Sequence, residues 1–275
     1  MSYISAVNKK RELETKYADG DPELTAEFKQ LAFKLGADLI GVGSADWQIQ
    51  KGHRPGDMYP GVTRVVSLIV RRLDSAYDYT PLRTRIYADE YVASAMNGEI
   101  SWRLSRYLAN KGYRAVNAGQ DKGNFNAKRI HTDDDVPHIF WANFSQKHSA
   151  VSAGTGAVGR NNLVHSASFG PRMSLNSIFT DAPLVLDPSA PDLCKDDCKD
   201  CFEACPSGAL TPEGLDPHRC WAIGMEVLGP EITYIKWKPC PTPCFSVCPI
   251  GDTPPRRLQG KEVHPLGWPE QPTMP

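Results

Sequence analysis

The sequence predicts an α+β fold: a layered domain of helices and strands, followed by a small cysteine-rich module. Three observations lead there. Helical periodicities alternate with short β-branched runs as far as Leu186. All eight cysteines fall between Cys194 and Cys248. The composition shifts to Pro, Asp, Lys and Cys just after Asp187, which places a domain boundary near Pro188–Pro191. A chain of 275 residues is long enough for one large domain with a smaller one attached.

The elements follow in order. Residues 1–20 are polar and charged and read as a loose N-terminal arm. "DPELTAEFKQLAFKLG" is a helix, with Asp21 as cap, Pro22 in the first turn and Gly36 as its stop. Leu24, Phe28, Leu31, Ala32 and Leu35 form its apolar face. Strands are expected at Ala37–Gly43 and Arg64–Val70, then a long helix over Thr84–Lys111 ended by Gly112, then a strand at Tyr113–Ala118. The middle stretch, "SAGTGAVGRNNLVHSASFGPRMSLNSIFTDAPLVLDP", mixes turns with two expected strands, Arg172–Thr180 and Leu184–Leu186. The resulting division is an arm (1–20), a main domain (21–188), a cysteine module (189–252) and a proline-rich tail (253–275).

A net charge of −1 gives no argument for a nucleic-acid or membrane-surface partner. Strongly apolar runs such as Val65–Val70 are too short to span a bilayer. The opening "MSYISAVNKKRELETKY" has neither an apolar core nor a twin-arginine pattern, so a cytoplasmic location is expected. In that compartment clustered thiols are metal ligands rather than disulfides.

The thiols form two sets. The first is C-x3-C-x2-C-x3-C-P: Cys194, Cys198, Cys201, Cys205 and Pro206. The second is Cys220, Cys240, Cys244 and Cys248, with Pro249 after the last. In two-cluster ferredoxins three closely spaced cysteines bind one [4Fe–4S] cluster, and the fourth, before proline, crosses to the other. Applied here, the crossover assigns Cys194, Cys198, Cys201 and Cys248 to one cluster and Cys205, Cys220, Cys240 and Cys244 to the second, a ferredoxin-like module. The alternative is two four-thiolate zinc sites, which have no need of two Cys-Pro endings.

Gly154, Gly156 and Gly159 lack β-carbons, so their backbone is open to close approach by a bulky cofactor; tight turns between strands are the alternative. "GTGAVG" is no dinucleotide site, because no acidic residue follows a strand at the required distance.

"LAFKLGADLIGVGSADW", "YLANKGYRAV" and "AGTGAVGRNNLVHSASFGPRMSLNSIFTDAPL" resemble core segments of the corrinoid-dependent reductive dehalogenases. The central stretch and "LDPHRCWAIGMEV" also resemble epoxyqueuosine reductase. The resemblance covers most of residues 25–250, in the same order as the cysteine signature. It implies a nitroreductase-like α/β domain holding base-off cobalamin, with electrons passing through two [4Fe–4S] clusters to cobalt; FMN is the alternative cofactor of such a domain. A ferredoxin or flavodoxin would be the low-potential donor, and a small organic molecule the substrate. Cofactor contacts would come from Gly154, Gly156, Gly159 and Asn161, with His165 and Arg172 within reach.

The resemblance offers two proton donors. The dehalogenases use a tyrosine assisted by a basic residue, which points to Tyr91 or Tyr87 in "YADEYVASAM" with Arg160 as the cation. Epoxyqueuosine reductase uses an aspartate before a proline, which points to Asp134 in "DDDVP". His131, His138 and His148 have no metal-ligand spacing and read as surface or hydrogen-bonding residues. The leading expectation is a corrinoid-dependent iron–sulfur reductase. Against it stand a non-catalytic electron carrier or corrinoid-reducing protein, and an epoxyqueuosine reductase-like enzyme whose partner is tRNA.

Overall fold

The computed structural model describes residues 20–46, 55–73, 83–118, 145–216, 219–220 and 243–252, apart from the side chains of residues 57 and 83–87. It is a mixed α/β structure. The described residues fall into two compact units that do not follow one another along the chain. One takes the chain up to Val70, Ser94–Ala157 and Ser174–Pro191; the other takes Arg71–Ala93, Val158–Met173 and the chain from Asp192.

The first unit is built on a four-stranded sheet in the order β1-β2-β6-β3: β1 (Leu39–Ser44), β2 (Arg64–Arg71), β6 (Met173–Thr180) and β3 (Ala115–Asn117). β1 runs antiparallel to β2, with Leu39 opposite Ile69 and Ser44 opposite Arg64, and β3 runs antiparallel to β6, with Ala115 opposite Thr180. β2 is buried from Arg64 to Val70, which is why "VVSLIV" is a continuous apolar run rather than an alternating one.

Helix α1 (Pro22–Lys34) starts as its sequence requires, the Asp21 carboxylate accepting from the Leu24 N–H at 3.0 Å. Leu24, Phe28 and Ala32 are buried, whereas Leu31 and Leu35 are only half-buried. A short helix, α2 (Pro55–Met58), precedes β2. Helix α3 (Arg83–Asn110) buries Leu104 and Leu108 and is joined to the sheet by amides. Asn97 Nδ2 donates to the carbonyls of Leu68 (3.1 Å) and Ser174 (2.8 Å), and Asn176 Nδ2 donates to Ser101 Oγ at 2.9 Å. The Asn97 donor group thus reaches β2 and β6, and that of Asn176 reaches back to α3, which pairs the buried N–H groups.

The strand expected at Leu184–Leu186 is absent. Leu184 makes one isolated bridge to Asp21. Side chains take the main-chain groups that a ladder would use: Arg64 Nε donates to Leu184 O at 2.8 Å, and Thr25 Oγ1 accepts from Val185 N–H at 2.9 Å. Conversely, the polar "QKHSAVS" forms a helix, α4 (Gln146–Ser152), that apolar periodicity did not reveal; Ser145 caps it.

In the second unit, β4 (Ala157–Val158) pairs with β5 (Val164–His165). Further along lie α5 (Asp200–Glu203), the pair β7 (Leu210–Thr211) and β8 (Gly214–Leu215), and α6 (Pro243–Ser246). Among the described residues no helix is long and apolar enough to cross a membrane.

Candidate metal centre and its clamp

Cys201 lies in α5 and is buried, as is Cys248; Cys194, Cys198, Cys205, Cys220 and Cys244 are partly exposed, and Cys240 lies outside the described residues. Burial, then the neighbouring Cys194, Cys198 and Cys248 thiols, raise the Cys201 pKa to about 11. Cys248 is also raised, by burial and by Cys194 and Cys198, against the opposing pull of the Ile250 N–H and the Arg172 guanidinium. These four thiols therefore share one neighbourhood, although Cys248 stands far along the chain from the other three. Thiolates crowded together repel; a cationic centre among them removes the conflict.

Cys205 has a different environment. Burial works against its thiolate, but hydrogen bonds from the Ser207 side chain and from the N–H groups of Leu210, Ser207 and Ala209 outweigh it and lower the pKa. Among the described residues, no three His, Cys, Asp or Glu side chains are grouped so as to hold a metal ion.

The stretch from Val158 to Met173, which holds Gly159, Asn161, His165 and Arg172, is turned onto the cysteine loops. Arg160 Nη1 donates to the carbonyls of Asp196 and Cys198, the latter at 3.0 Å, and its guanidinium stacks 4.7 Å from the centre of the Phe202 ring. Asn161 Nδ2 donates to Cys244 O at 3.0 Å. His165 Nε2 lies 3.9 Å from Cys248 Sγ. Arg172 donates to Cys248 O at 3.2 Å and Ile250 O at 3.1 Å.

The local chain explains how these side chains are presented. Between β4 and β5 the backbone turns through Asn162 at φ 59°, a left-handed position that asparagine tolerates. Leu163 N–H donates to Asn161 Oδ1 at 3.2 Å, holding the turn. Burial keeps His165 neutral, with its pKa lowered to about 4, and leaves its Nδ1 without a hydrogen-bond partner.

The glycines have internal reasons. A β-carbon on Gly154, at φ +67°, would overlap Pro188 O, and one on Gly159 would overlap the His165 ring. Gly156 is buried. The space that a side chain would need at Gly154 and Gly159 is filled by the protein's own atoms.

Of the proton-donor candidates, Tyr91 is 47% exposed on α3. The Tyr87 side chain and Asp134 lie outside the described residues. Among the described residues the partners of the Arg160 guanidinium belong to the cysteine loop rather than to a tyrosine. Sequence reasoning missed Phe202 and Ser207. Both stand inside or beside the Cys-Pro motif, but only the fold shows that one carries Arg160 and the other Cys205.

No family model matches the chain. Over 230 residues it is 28% identical to a tetrachloroethene reductive dehalogenase of Desulfitobacterium hafniense, covering 74% of this chain and 34% of that protein. Over 181 residues it is 28% identical to the epoxyqueuosine reductase of Pseudomonas aeruginosa, covering 62% of this chain and 44% of that protein. The chain thus spans about a third of the dehalogenase and less than half of the reductase. Among solved structures, epoxyqueuosine reductase from Bacillus subtilis aligns with a TM-score of 0.54 at 20% identity, over 74% of this chain and 57% of that one. A reductive dehalogenase aligns with a TM-score of 0.59 at 18% identity, over 81% of this chain and 31% of that one. The chain is a relative of both the reductive dehalogenases and the epoxyqueuosine reductases and shares their fold, the pairing that its glycine-rich and cysteine segments resemble.

Proposed function

We propose that the protein is an iron–sulfur oxidoreductase. Cys194, Cys198, Cys201 and Cys248 hold one [4Fe–4S] cluster, and Cys205, Cys220, Cys240 and Cys244 a second, in a ferredoxin-like unit whose electrons serve a nitroreductase-like unit. The observation that carries this reading is the shared neighbourhood of Cys248 with Cys194, Cys198 and Cys201. It supports, beside the Cys-Pro spacing of the sequence, the crossover pairing of two-cluster ferredoxins. A cubane cluster spreads its four thiolates over four irons, whereas zinc draws them around one point at about 2.3 Å each.

A corrinoid as the electron acceptor, and a small organic molecule reduced at it, are proposed from the relatives, one of which is a reductive dehalogenase described as B12-dependent. A second reading is reduction of a modified tRNA nucleoside, supported by the similarity to the epoxyqueuosine reductases in sequence and in fold. One of those reductases was solved with a tRNA-Tyr stem loop.

The test is turnover by the reduced, anaerobically reconstituted chain with cobalamin, given an organohalide in one arm and an epoxyqueuosine-bearing stem loop in the other. Halide release supports the first reading and queuosine formation the second. Reduction of free cobalamin without turnover of either would overturn both in favour of an electron carrier.

A further inference from the structure

The ring of His165, at the end of β5, is 2% exposed and lies beside Cys248. An apolar side chain would fill such a place without burying polar atoms, whereas the imidazole leaves its Nδ1 with no hydrogen-bond partner. What the ring can gain stands at its other nitrogen. Nε2 lies 3.9 Å from Cys248 Sγ, at the long end of what an N–H···S contact spans. His165, Cys248 and Gly159 all belong to the second unit.

These surroundings decide which nitrogen bears the hydrogen. In a neutral imidazole one nitrogen carries a hydrogen and the other a lone pair. A hydrogen on Nδ1 would be buried without an acceptor, and the Nε2 lone pair would face sulfur. A cysteine that ligates a metal centre has given up its proton, so that arrangement would set two lone pairs against each other. With the hydrogen on Nε2 the Cys248 thiolate becomes its acceptor, and only a lone pair is left over at Nδ1. A doubly protonated ring also carries a hydrogen on Nε2, so the direction of the bond does not depend on the charge of the ring.

Gly159 fixes where the ring stands. Its φ is not positive, so its backbone conformation does not call for glycine. The requirement is space: a β-carbon there would overlap His165 Cε1 and Nδ1. The Gly159 N–H donates to Leu163 O at 2.9 Å, closing the turn that leads into β5. The chain thus packs against the Nδ1 edge of the ring and leaves the Nε2 edge to Cys248.

We propose that His165 donates a hydrogen bond from Nε2 to the sulfur of Cys248, with Gly159 holding the ring in place, and that this bond raises the reduction potential of the cluster that Cys248 ligates. The inference rests on the iron–sulfur reading above. A donor on a ligand sulfur offsets negative charge, and the reduced site is the more negative one, so the bond favours reduction. His165 is a positioning residue that acts through Cys248; it takes no part in bond making.

The test uses the full chain, reconstituted with iron and sulfide and isotopically labelled at the ring nitrogens of histidine. Pulsed EPR of the dithionite-reduced wild type should show an imidazole nitrogen coupled to a cluster. His165→Leu should lose that coupling, and in a redox titration the reduced-to-oxidised ratio of one cluster, at a fixed potential, should fall about fivefold. His165→Gln, which keeps an N–H donor, should recover part of that ratio. Gly159→Ala keeps the histidine but displaces its ring, so it should weaken the coupling and shift the ratio the same way by less. A loaded wild type without imidazole coupling overturns the inference, as does a loaded His165→Leu with the ratio unchanged. Should His165→Leu fail to take up iron, an unmoved coupling and ratio in Gly159→Ala overturn it. A wild-type chain that binds no iron overturns the iron–sulfur reading instead.

Discussion

On β2 and β6 of the sheet-bearing unit, Val65, Val66, Leu68, Ile69, Ile178 and Phe179 are buried completely. From Asp192 to Asp252 in the other unit, each described helix has four residues and each strand two. What gathers the chain there is a set of thiols, with side-chain donors on the carbonyls of Cys198, Cys244, Cys248 and Ile250. The difference teaches where each unit's stability comes from. Burial of an apolar side chain contributes about 1.5–3 kcal/mol and needs no cofactor. Crowded thiols cost energy until a metal centre resolves them.

Iron removal should therefore produce the largest contrast. In chelated protein the 192–252 segment should become the first site of proteolysis, while the β2 and β6 amides stay protected in hydrogen exchange. Simultaneous loss of protection in both units would break the comparison. Within the sheet unit, Phe179→Ala should cost about 3–5 kcal/mol in urea unfolding. Phe179 is fully buried against Val65 and Val62, with the Tyr59 ring 5.4 Å away.

The same contrast decides what was legible in the sequence. The sheet unit announces itself through local patterns: the Asp21–Pro22 helix start, the unbroken "VVSLIV" and the long helix ending before Gly112. Leu184–Leu186 escaped because Arg64 and Thr25, far away in sequence, claim its backbone. In the cysteine unit the thiols were visible from their spacing, but the partners of Arg160, Asn161, His165 and Arg172 were not. Those partners lie 30 or more residues downstream, and nothing periodic marks them. Nor does the spacing of the glycines show that a side chain at Gly154 or Gly159 would meet Pro188 or His165.

A smaller effect is expected at Asn97. Asn97→Ala removes the donor shared by Leu68 O and Ser174 O, and should cost about 1–3 kcal/mol by the same unfolding assay. Asn97→Asp should not restore it, since a carboxylate accepts where a donor is needed.

The smallest concerns pH. Partial desolvation of the ring, with Lys147 nearby, lowers the pKa of His148, a residue that stays largely exposed. As pH falls through about 6.5 the unfolded chain binds a proton there, while the native protein does so only at lower pH. Stability is thus lost as the pH falls across that window, and His148→Gln should flatten the change in urea midpoint between pH 7.5 and 5.5. An equal slope in the variant would remove His148 from the account.

The pairing of Cys248 with the first three cysteines, rather than Cys205, is the central claim. It is tested most directly by counting iron and sulfide in wild type and in Cys248→Ser, with EPR of the dithionite-reduced proteins. The account expects roughly eight irons and eight sulfides in wild type, and in the variant the loss of one cluster's signal with that of Cys205 intact. Two zinc ions without iron in the wild type, or an undisturbed pair of clusters in Cys248→Ser, would contradict it.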